Sequence, residues 1–202
     1  MKLHKLTPAR LIALGFLMII VLGAGLLLLP FASKGEAAKP LDALFTATSA
    51  TCVTGLIVRD TFTGWTVFGQ LVILTLIQLG GLGLMTVITL VSFAAGKRLS
   101  LYDRKVLMQS AGNTTLSGVG GLIRRIVPFT FVLELTGALL LATRFVPALG
   151  WGRGLYASVF HAISAFCNAG FDLMGMREPF SSMTAFVADP VVNLTLCALI
   201  VI

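Results

Sequence analysis

Charged side chains are scarce in this sequence. Of its 202 residues, 11% are Asp, Glu, Lys or Arg and 57% are hydrophobic, whereas about a quarter of a soluble domain is charged. This composition indicates a membrane protein and excludes an ordinary soluble fold. The net charge of +7 is, in so apolar a chain, typical of a membrane topology signal, so a nucleic-acid partner is not expected.

Residues that build reactive or metal sites are also rare. The three cysteines are an odd number and have no CxxC or Cys–His ligand spacing, which argues against a disulfide scaffold and against a zinc site. The sequence has no recognisable nucleophile–base pair, phosphate-binding loop or metal-ligand cluster. We therefore expect neither an enzyme nor a bound cofactor.

Long apolar runs are what the sequence has in quantity. Residues 11–29 form nineteen residues without a charge, about 28 Å of helix, which is enough to span a bilayer. A signal peptide is the alternative, but its apolar region is shorter, about 15 residues at most. The run 64–96 is too long for a straight span and must tilt, bend or break. The run contains Gly80, Gly81 and Gly83. These glycines are either a hinge or small residues for helix packing.

Further along the chain, full-length and half-length apolar stretches alternate. A third span is predicted at 126–146, and a fourth begins after Pro190. The fourth has only twelve residues, about 18 Å of helix, so we expect the chain to be the N-terminal half of a longer protein. Two weaker stretches, 41–50 and 155–166, have the length of re-entrant half-helices.

The charges fit a multi-pass topology with a cytoplasmic N-terminus. In that orientation the cytoplasmic segments contain nine basic residues and one acidic residue, while each of the two outer segments contains three of each sign; this is the positive-inside pattern. Trp65 and Trp151 fall at the predicted outer boundaries, where an interfacial aromatic belt is expected. The predicted divisions are a cytoplasmic N-terminus (1–10), a first span–pore–span repeat (11–96), a cytoplasmic loop (97–125) and a second repeat (126–202).

The two half-helical stretches belong to an internal repeat. A shift of 115 residues superimposes 45–55 on 160–170 with six of eleven positions identical. Because each copy contains two full crossings, the copies enter from the same side and are parallel, unlike the inverted repeats of many secondary transporters. Half-helices that descend from outside point their negative C-terminal ends at the bilayer centre, which favours a cation.

The short polar segments after the half-helices are the candidate ion site. Their backbone carbonyls can replace the hydration shell of an ion. Each segment ends in a glycine, Gly55 or Gly170, which lets the backbone adopt a positive φ. The alternative role for these two glycines is an ordinary helix C-cap. The predicted ion-binding residues are Thr51, Cys52, Val53, Thr54, Gly55, Cys167, Asn168, Ala169 and Gly170.

Three motifs carry a family resemblance. They are Thr-Ser-Ala-Thr-Cys-Val-Thr-Gly-Leu (48–56), Ile-Gln-Leu-Gly-Gly-Leu-Gly-Leu-Met-Thr (77–86) and Ala-Phe-Cys-Asn-Ala-Gly-Phe-Asp (165–172). Together they resemble signatures of the bacterial Trk/Ktr potassium-uptake family, in its TrkH/KtrB-like membrane pore subunit. The resemblance implies an all-α polytopic membrane protein with parallel span–pore helix–span repeats as in potassium channels, two of an expected four being present.

The same resemblance implies a function and partners. The function is K+ uptake through filter strands with one characteristic glycine each, Gly55 and Gly170, with Na+ left open as a coupled or co-permeating ion. The expected location is the bacterial plasma (inner) membrane, with the lipid bilayer as surroundings. The full-length subunit would form a homodimer on a cytoplasmic ring of nucleotide-binding regulatory subunits. That ring would meet the basic segment 97–125, for which anionic lipid is the alternative partner.

Two other function classes stay open at this stage. A secondary carrier would bind a small solute at broken helices and is expected to show inverted repeats. A non-conducting membrane scaffold would not need a duplicated half-helix.

Some ionisable residues have no assigned role. Glu134 lies within a span, and it is either functional or paired with a buried partner that the sequence does not name. His161 takes the repeat position of Thr46, so a packing or hydrogen-bonding role is favoured. Asp60 and Asp172 could concentrate cations at the outer mouth, although neighbouring arginines offset their charge.

The cysteines that match across the repeats raise the question of a disulfide. Cys52 and Cys167 occupy equivalent positions, but equivalent positions on symmetry-related strands need not lie within bonding distance. Packing of small residues at the ends of the half-helices is therefore the favoured interpretation.

Overall fold

The protein is helical throughout its described parts. The computed structural model describes residues 8–83 and 119–202, and the prediction of an all-α protein is confirmed there, with one isolated bridge between Ser33 and Trp65. The helices are α1 (Pro8–Leu27), α2 (Pro40–Thr51), α3 (Thr61–Gly64), α4 (Val67–Gly81), α5 (Val119–Leu149), α6 (Trp151–Phe166) and α7 (Pro190–Val201), with 3₁₀ turns at Met174–Met176 and Ser182–Phe186.

Two short helices occupy the positions of the predicted half-helices. Helix α2 has twelve residues and begins with Pro40, whose fixed φ suits a first helical turn. Helix α6 has sixteen residues and begins after Gly150, which has a φ of 83°. Within the described ranges, Val127–Leu149 is the stretch that is long and apolar enough to cross a membrane by itself. Shorter apolar helices are Ile12–Leu27, Val67–Gly81 and Pro190–Val201.

Two predicted boundaries differ from the observed ones. Helix α4 ends at Gly81, and the remainder of the predicted run beyond residue 83 lies outside the described residues. Helix α5 begins at Val119, inside the segment predicted as loop 97–125. The predicted span begins at residue 126, after two arginines. Because arginine is a good helix former, the helix extends through residues 124 and 125. The rest of that loop is not described.

Large apolar side chains lie on the surface of this protein as well as in its core. Leu17, Met18 and Leu22 of α1, and Phe131 and Leu135 of α5, are all more than half exposed. Several polar side chains are buried beside the apolar core, among them those of Thr46, Ser49, Thr51, Gln70, Glu134, His161, Ser164 and Thr195. A surface rich in large apolar side chains fits a protein whose outer surface meets lipid or further protein rather than water.

One aromatic residue contradicts the prediction of an interfacial belt. Trp151 is 81% exposed, but Trp65 is completely buried within the protein. The sequence placed Trp65 correctly next to the start of a helix. It could not show that the chain pairs with Ser33 at this residue and that the indole ring is buried inside the protein.

The helices form two adjoining clusters. Helices α1, α2 and α4 pack around Trp65, Ile73 and Ile77, while α5, α6 and α7 pack around Leu141 and Phe145. Helix α4 of the first cluster also contacts α6 of the second. Through this contact the two half-helices share one polar interior.

A buried aspartate joins the outer ends of the two clusters. The Asp60 carboxylate caps α3 by accepting hydrogen bonds from the backbone N–H groups of Phe62 (3.0 Å) and Thr63 (2.7 Å) and from the Thr63 hydroxyl (2.8 Å). Its other oxygen accepts from the Phe180 N–H at 3.0 Å, across 120 residues of sequence. Gly175 packs directly against the carboxylate, where a Cβ would lie 2.1 Å from Oδ1. Asp60 is therefore a structural clamp, and a role of its charge in concentrating cations stays a prediction.

We predict that Asp60→Ala destabilises the protein by about 2 to 4 kcal/mol, because it removes the buried acceptor of four hydrogen bonds, one of which joins the two clusters. The measurement is the midpoint of thermal unfolding of the detergent-solubilised full-length protein. Glu36→Ala is the matched control, since it removes an exposed acid from the same outer region. Equal midpoints for the two variants would contradict the clamp.

Candidate functional site

The two half-helices end in the same way. At the end of α2 the Cys52 N–H donates to the Thr48 carbonyl at 2.8 Å, and at the end of α6 the Cys167 N–H donates to the Ile163 carbonyl at 3.0 Å. These are equivalent positions under the shift of 115 residues. The copies therefore share a backbone path as well as a sequence pattern.

A buried serine in each half-helix holds the segment that follows. The Ser49 hydroxyl donates to the Leu56 carbonyl at 2.7 Å, and the Ser164 hydroxyl donates to the Phe171 carbonyl at 2.7 Å. The carbonyls of the same two serines accept from the N–H groups of Thr54 and Ala169, respectively. Each serine thus fastens both ends of its segment to the half-helix.

Both segments adopt left-handed backbone at the same two places. Val53 and Asn168 each have a φ of 56°, and Gly55 and Gly170 have φ values of 75° and 71°. A positive φ at a β-branched residue such as Val53 is a genuine outlier that the surroundings must impose. The backbone therefore turns twice within each segment.

The two segments touch at their glycines. A Cβ on Gly55 would lie 2.8 Å from the Ala169 carbonyl oxygen and 3.3 Å from the Gly170 Cα, and a Cβ on Gly170 would lie 3.2 Å from the Gly55 Cα. Backbone therefore faces backbone, and any side chain at these positions would have to displace the opposite segment. Both glycines have backbone neighbours in the opposite segment, which an ordinary C-cap does not require.

Two glycines of α4 pack against the ends of both half-helices. A Cβ on Gly80 would lie 2.1 Å from the Thr51 carbonyl oxygen, and a Cβ on Gly81 would lie 2.5 Å from the Cys167 sulfur. Close approach of this kind supports the packing interpretation of the two glycines. Gly83 has a φ of 78° and open space around it, so a hinge at that residue stays a prediction.

The structure supplies the partner of Glu134 that the sequence could not name. Glu134 is 4% exposed, and its Oε1 accepts a hydrogen bond from Gln78 Nε2 at 2.8 Å. The Gln78 Oε1 in turn lies 3.8 Å from the Cys167 sulfur. The carboxylate is thereby connected to the start of the second polar segment.

His161 is satisfied within the protein. Its Nδ1–H donates to the Ala157 carbonyl at 2.6 Å, and its Nε2 accepts from the Leu173 N–H at 3.2 Å. The carbonyl can only accept and the N–H can only donate, so these partners fix a neutral tautomer. This geometry agrees with the hydrogen-bonding role predicted from the repeat.

A cavity of about 280 Å³ lies beside the second segment, and Asp172 lines it together with His161, Ser164, Asn168 and Gly170. Burial raises the pKa of the Asp172 carboxyl, and the nearby charge of Asp60 adds to this, while the bond from the Met174 N–H opposes it. The raised pKa favours the neutral carboxyl, so the position of Asp172 in the cavity lining is what keeps it a candidate for the outer mouth.

The sequence pointed to some of these residues and missed others. All three cysteines are free, Cys52 being exposed and Cys167 buried, so the decision against a disulfide is confirmed. Ser49 and Ser164 matched in the repeat, but nothing in the pattern told a structural hydroxyl from chance identity. The Gln78 amide was hidden inside an apolar motif.

Comparison with known proteins gives the family. A family model described as TrkH, cation transport protein, matches residues 12–202. The chain is 46% identical over 203 residues to the Ktr system potassium uptake protein B of Bacillus subtilis (strain 168), covering 99% of this chain and 44% of that protein. It is 46% identical over 172 residues to the potassium/sodium uptake protein NtpJ of Enterococcus hirae (85% and 38% covered).

A third relative extends the same pattern. The Ktr system potassium uptake protein B of Vibrio alginolyticus is 41% identical over 193 residues, with 95% of this chain and 41% of that protein covered. The chain thus spans less than half the length of the curated relatives it matches. Because the family match runs through both half-helices and the segments after them, the chain belongs to the TrkH family of cation transport proteins.

Proposed function

We propose that this chain forms part of a potassium-uptake pore, in which α2 and α6 are pore helices and residues 51–55 and 167–170 are filter segments. The observation that carries the proposal is the paired geometry of the filter segments. They share the positions of positive φ, they are fastened by equivalent serines, and they meet at Gly55 and Gly170. Symmetry-related strands of this kind are what a carbonyl-lined filter requires.

Electrostatics favours a cation at these segments. Each filter segment begins at the C-terminal end of a pore helix, where the helix dipole contributes about half a negative charge. Two such ends converge where Gly55 and Gly170 touch. Backbone carbonyls are hard oxygen ligands, and together with the dipoles they would replace the hydration shell of a monovalent cation.

The transported ion is proposed to be K+. Two relatives are named potassium uptake proteins and a third a potassium/sodium uptake protein, so Na+ is kept as a second ion that is coupled or co-permeates. Each filter segment has one positive-φ glycine, which leaves fewer ordered carbonyl rings than a Thr-Val-Gly-Tyr-Gly filter. Selectivity should accordingly be looser.

The complete protein is proposed to contain four such repeats, of which this chain supplies the first two. That proposal rests on the fraction of the relatives that the chain covers and on the need for more than two strands around an ion. The subunit would sit in the bacterial plasma membrane with its N-terminus in the cytoplasm, following the distribution of basic residues. A homodimer docked on a ring of nucleotide-binding regulatory subunits completes the proposed assembly.

A secondary carrier that binds a small solute at broken helices is the competing function. It would be expected to place its two broken segments in inverted copies. Here each copy is proposed to contain two full crossings, so both copies would enter from the same side of the membrane. This parallel arrangement favours the pore.

We predict that Gly55→Ala and Gly170→Ala each lower the K+/Na+ uptake ratio of the full-length protein by roughly tenfold. A methyl group at φ near +70° costs about 1 to 2 kcal/mol, and 1.4 kcal/mol corresponds to tenfold. The measurement is competitive K+ and Na+ uptake by bacteria that lack other potassium transporters. The control is Gly152→Ala in α6, where the added methyl meets open space. An unchanged ratio in both filter variants would refute the filter assignment.

A second prediction concerns the serines that fasten the filter segments. Ser164→Ala and Ser49→Ala should each reduce the K+/Na+ ratio by about fivefold, since each removes a hydrogen bond of about 1 kcal/mol from a filter segment. Ser158→Ala is the matched control, because that buried hydroxyl in the same helix donates only to the Gly154 carbonyl one turn earlier. If all three variants behaved alike, the serines would have no special connection to selectivity.

A further inference from the structure

We infer that Glu134 and Gln78 form a buried relay that positions Cys167, the first residue of the second filter segment, and so helps to set ion selectivity. The relay consists of the Glu134 carboxylate, the Gln78 amide and the Cys167 thiol. The inference rests on the proposed function, since it assigns a role through the filter segment 167–170.

The relay connects three helices. Glu134 lies on α5, Gln78 on α4, and Cys167 caps the end of α6. Gln78 and Gly81 are three residues apart, so they share one face of α4. That face contacts Cys167 twice, through the Gln78 Oε1 and through the close packing of Gly81 against the sulfur.

The carboxylate decides which way the Gln78 amide points. An ionised carboxylate can only accept hydrogen bonds, so Gln78 must turn its NH₂ group toward Glu134, as the 2.8 Å contact shows. The amide oxygen is then left on the opposite side, facing the Cys167 S–H. Without the carboxylate, either end of the amide could face the thiol.

The repeat does not require this relay for its architecture. The position 115 residues before Glu134 is Ile19, an apolar residue that packs against the first cluster. The serines, by contrast, occur in both repeats. A buried carboxylate is expensive inside a membrane protein, so its presence in one copy only points to a task at this interface between the two repeats.

The test exchanges the two side chains that form the hydrogen bond between Gln78 and Glu134. Glu134→Gln removes the group that orients the Gln78 amide, and Gln78→Glu sets two carboxylates against each other. Each of these variants should lower the K+/Na+ ratio by about fivefold, the equivalent of an ordinary hydrogen bond. The double variant Gln78→Glu/Glu134→Gln restores a carboxylate–amide pair in the reverse direction. It should recover most of the wild-type ratio.

The readout is competitive K+ and Na+ uptake by the full-length protein in cells, normalised to the amount of protein in the membrane. Glu36→Gln is the control for loss of an acid outside the relay. If Gln78→Glu does not accumulate, Gln78→Leu replaces it, with the same expected loss of selectivity. A merely structural pair would lower the amount of protein or the maximal rate and leave the ratio unchanged.

The outcomes separate this inference from the proposed function. If Gly170→Ala changes the K+/Na+ ratio while Gln78→Glu and Gln78→Leu do not, the relay is wrong and the filter stands. Failure of the double variant to exceed Gln78→Glu in its ratio also overturns the relay. If Gly170→Ala leaves the ratio unchanged as well, the filter assignment itself fails.

Discussion

Direct contact between backbones, made possible by four glycines, is the constraint on which the rest of this structure depends. Gly80 and Gly81 let the C-terminal turn of α4 reach the ends of both half-helices, and Gly55 and Gly170 let the two polar segments meet. Half-helices that end inside a membrane protein leave carbonyls that water does not reach, so other protein or a hydrated cavity must satisfy them. The close approach at these glycines leaves no space for side chains and brings the two polar segments into one interior.

The strained backbone conformation of the polar segments is maintained by contacts with the surrounding structure. Val53 and Asn168 share a φ of 56° although one side chain is β-branched and the other is an amide. Asparagine adopts this conformation readily, but a β-branched residue strongly disfavours it, so at Val53 the backbone conformation is not the local preference of the residue. The hydroxyls of Ser49 and Ser164 donate to the carbonyls of Leu56 and Phe171 and hold each segment against its half-helix. A strained backbone conformation persists only where the surrounding structure fixes it in this way.

The sequence predicted the elements well and the connections between them poorly. The length and apolarity of two stretches located α2 and α6 to within a few residues, because the length of an apolar stretch distinguishes a half-helix from a full span. The matched Ser49 and Ser164 were visible as identities, yet their acceptors lie seven residues away and depend on a turn that periodicity does not encode. Trp65 was assigned to the lipid interface because an aromatic residue at a span boundary usually lies there; the fold of the outer loop decides otherwise.

The two copies also differ in a way that a fourfold-symmetric pore could not. The serine contacts occur in both and belong to the shared architecture, whereas Glu134, Gln78 and Cys167 are connected across the boundary between the copies. In a pore made of identical subunits every polar contact behind the filter must be repeated at each strand. In the proposed pore, a single chain with covalently joined repeats is free of that requirement, and one segment can be fixed by a carboxylate where the equivalent position of the other copy is Ile19. Such asymmetry allows one strand to be tuned while the backbone geometry common to both is retained.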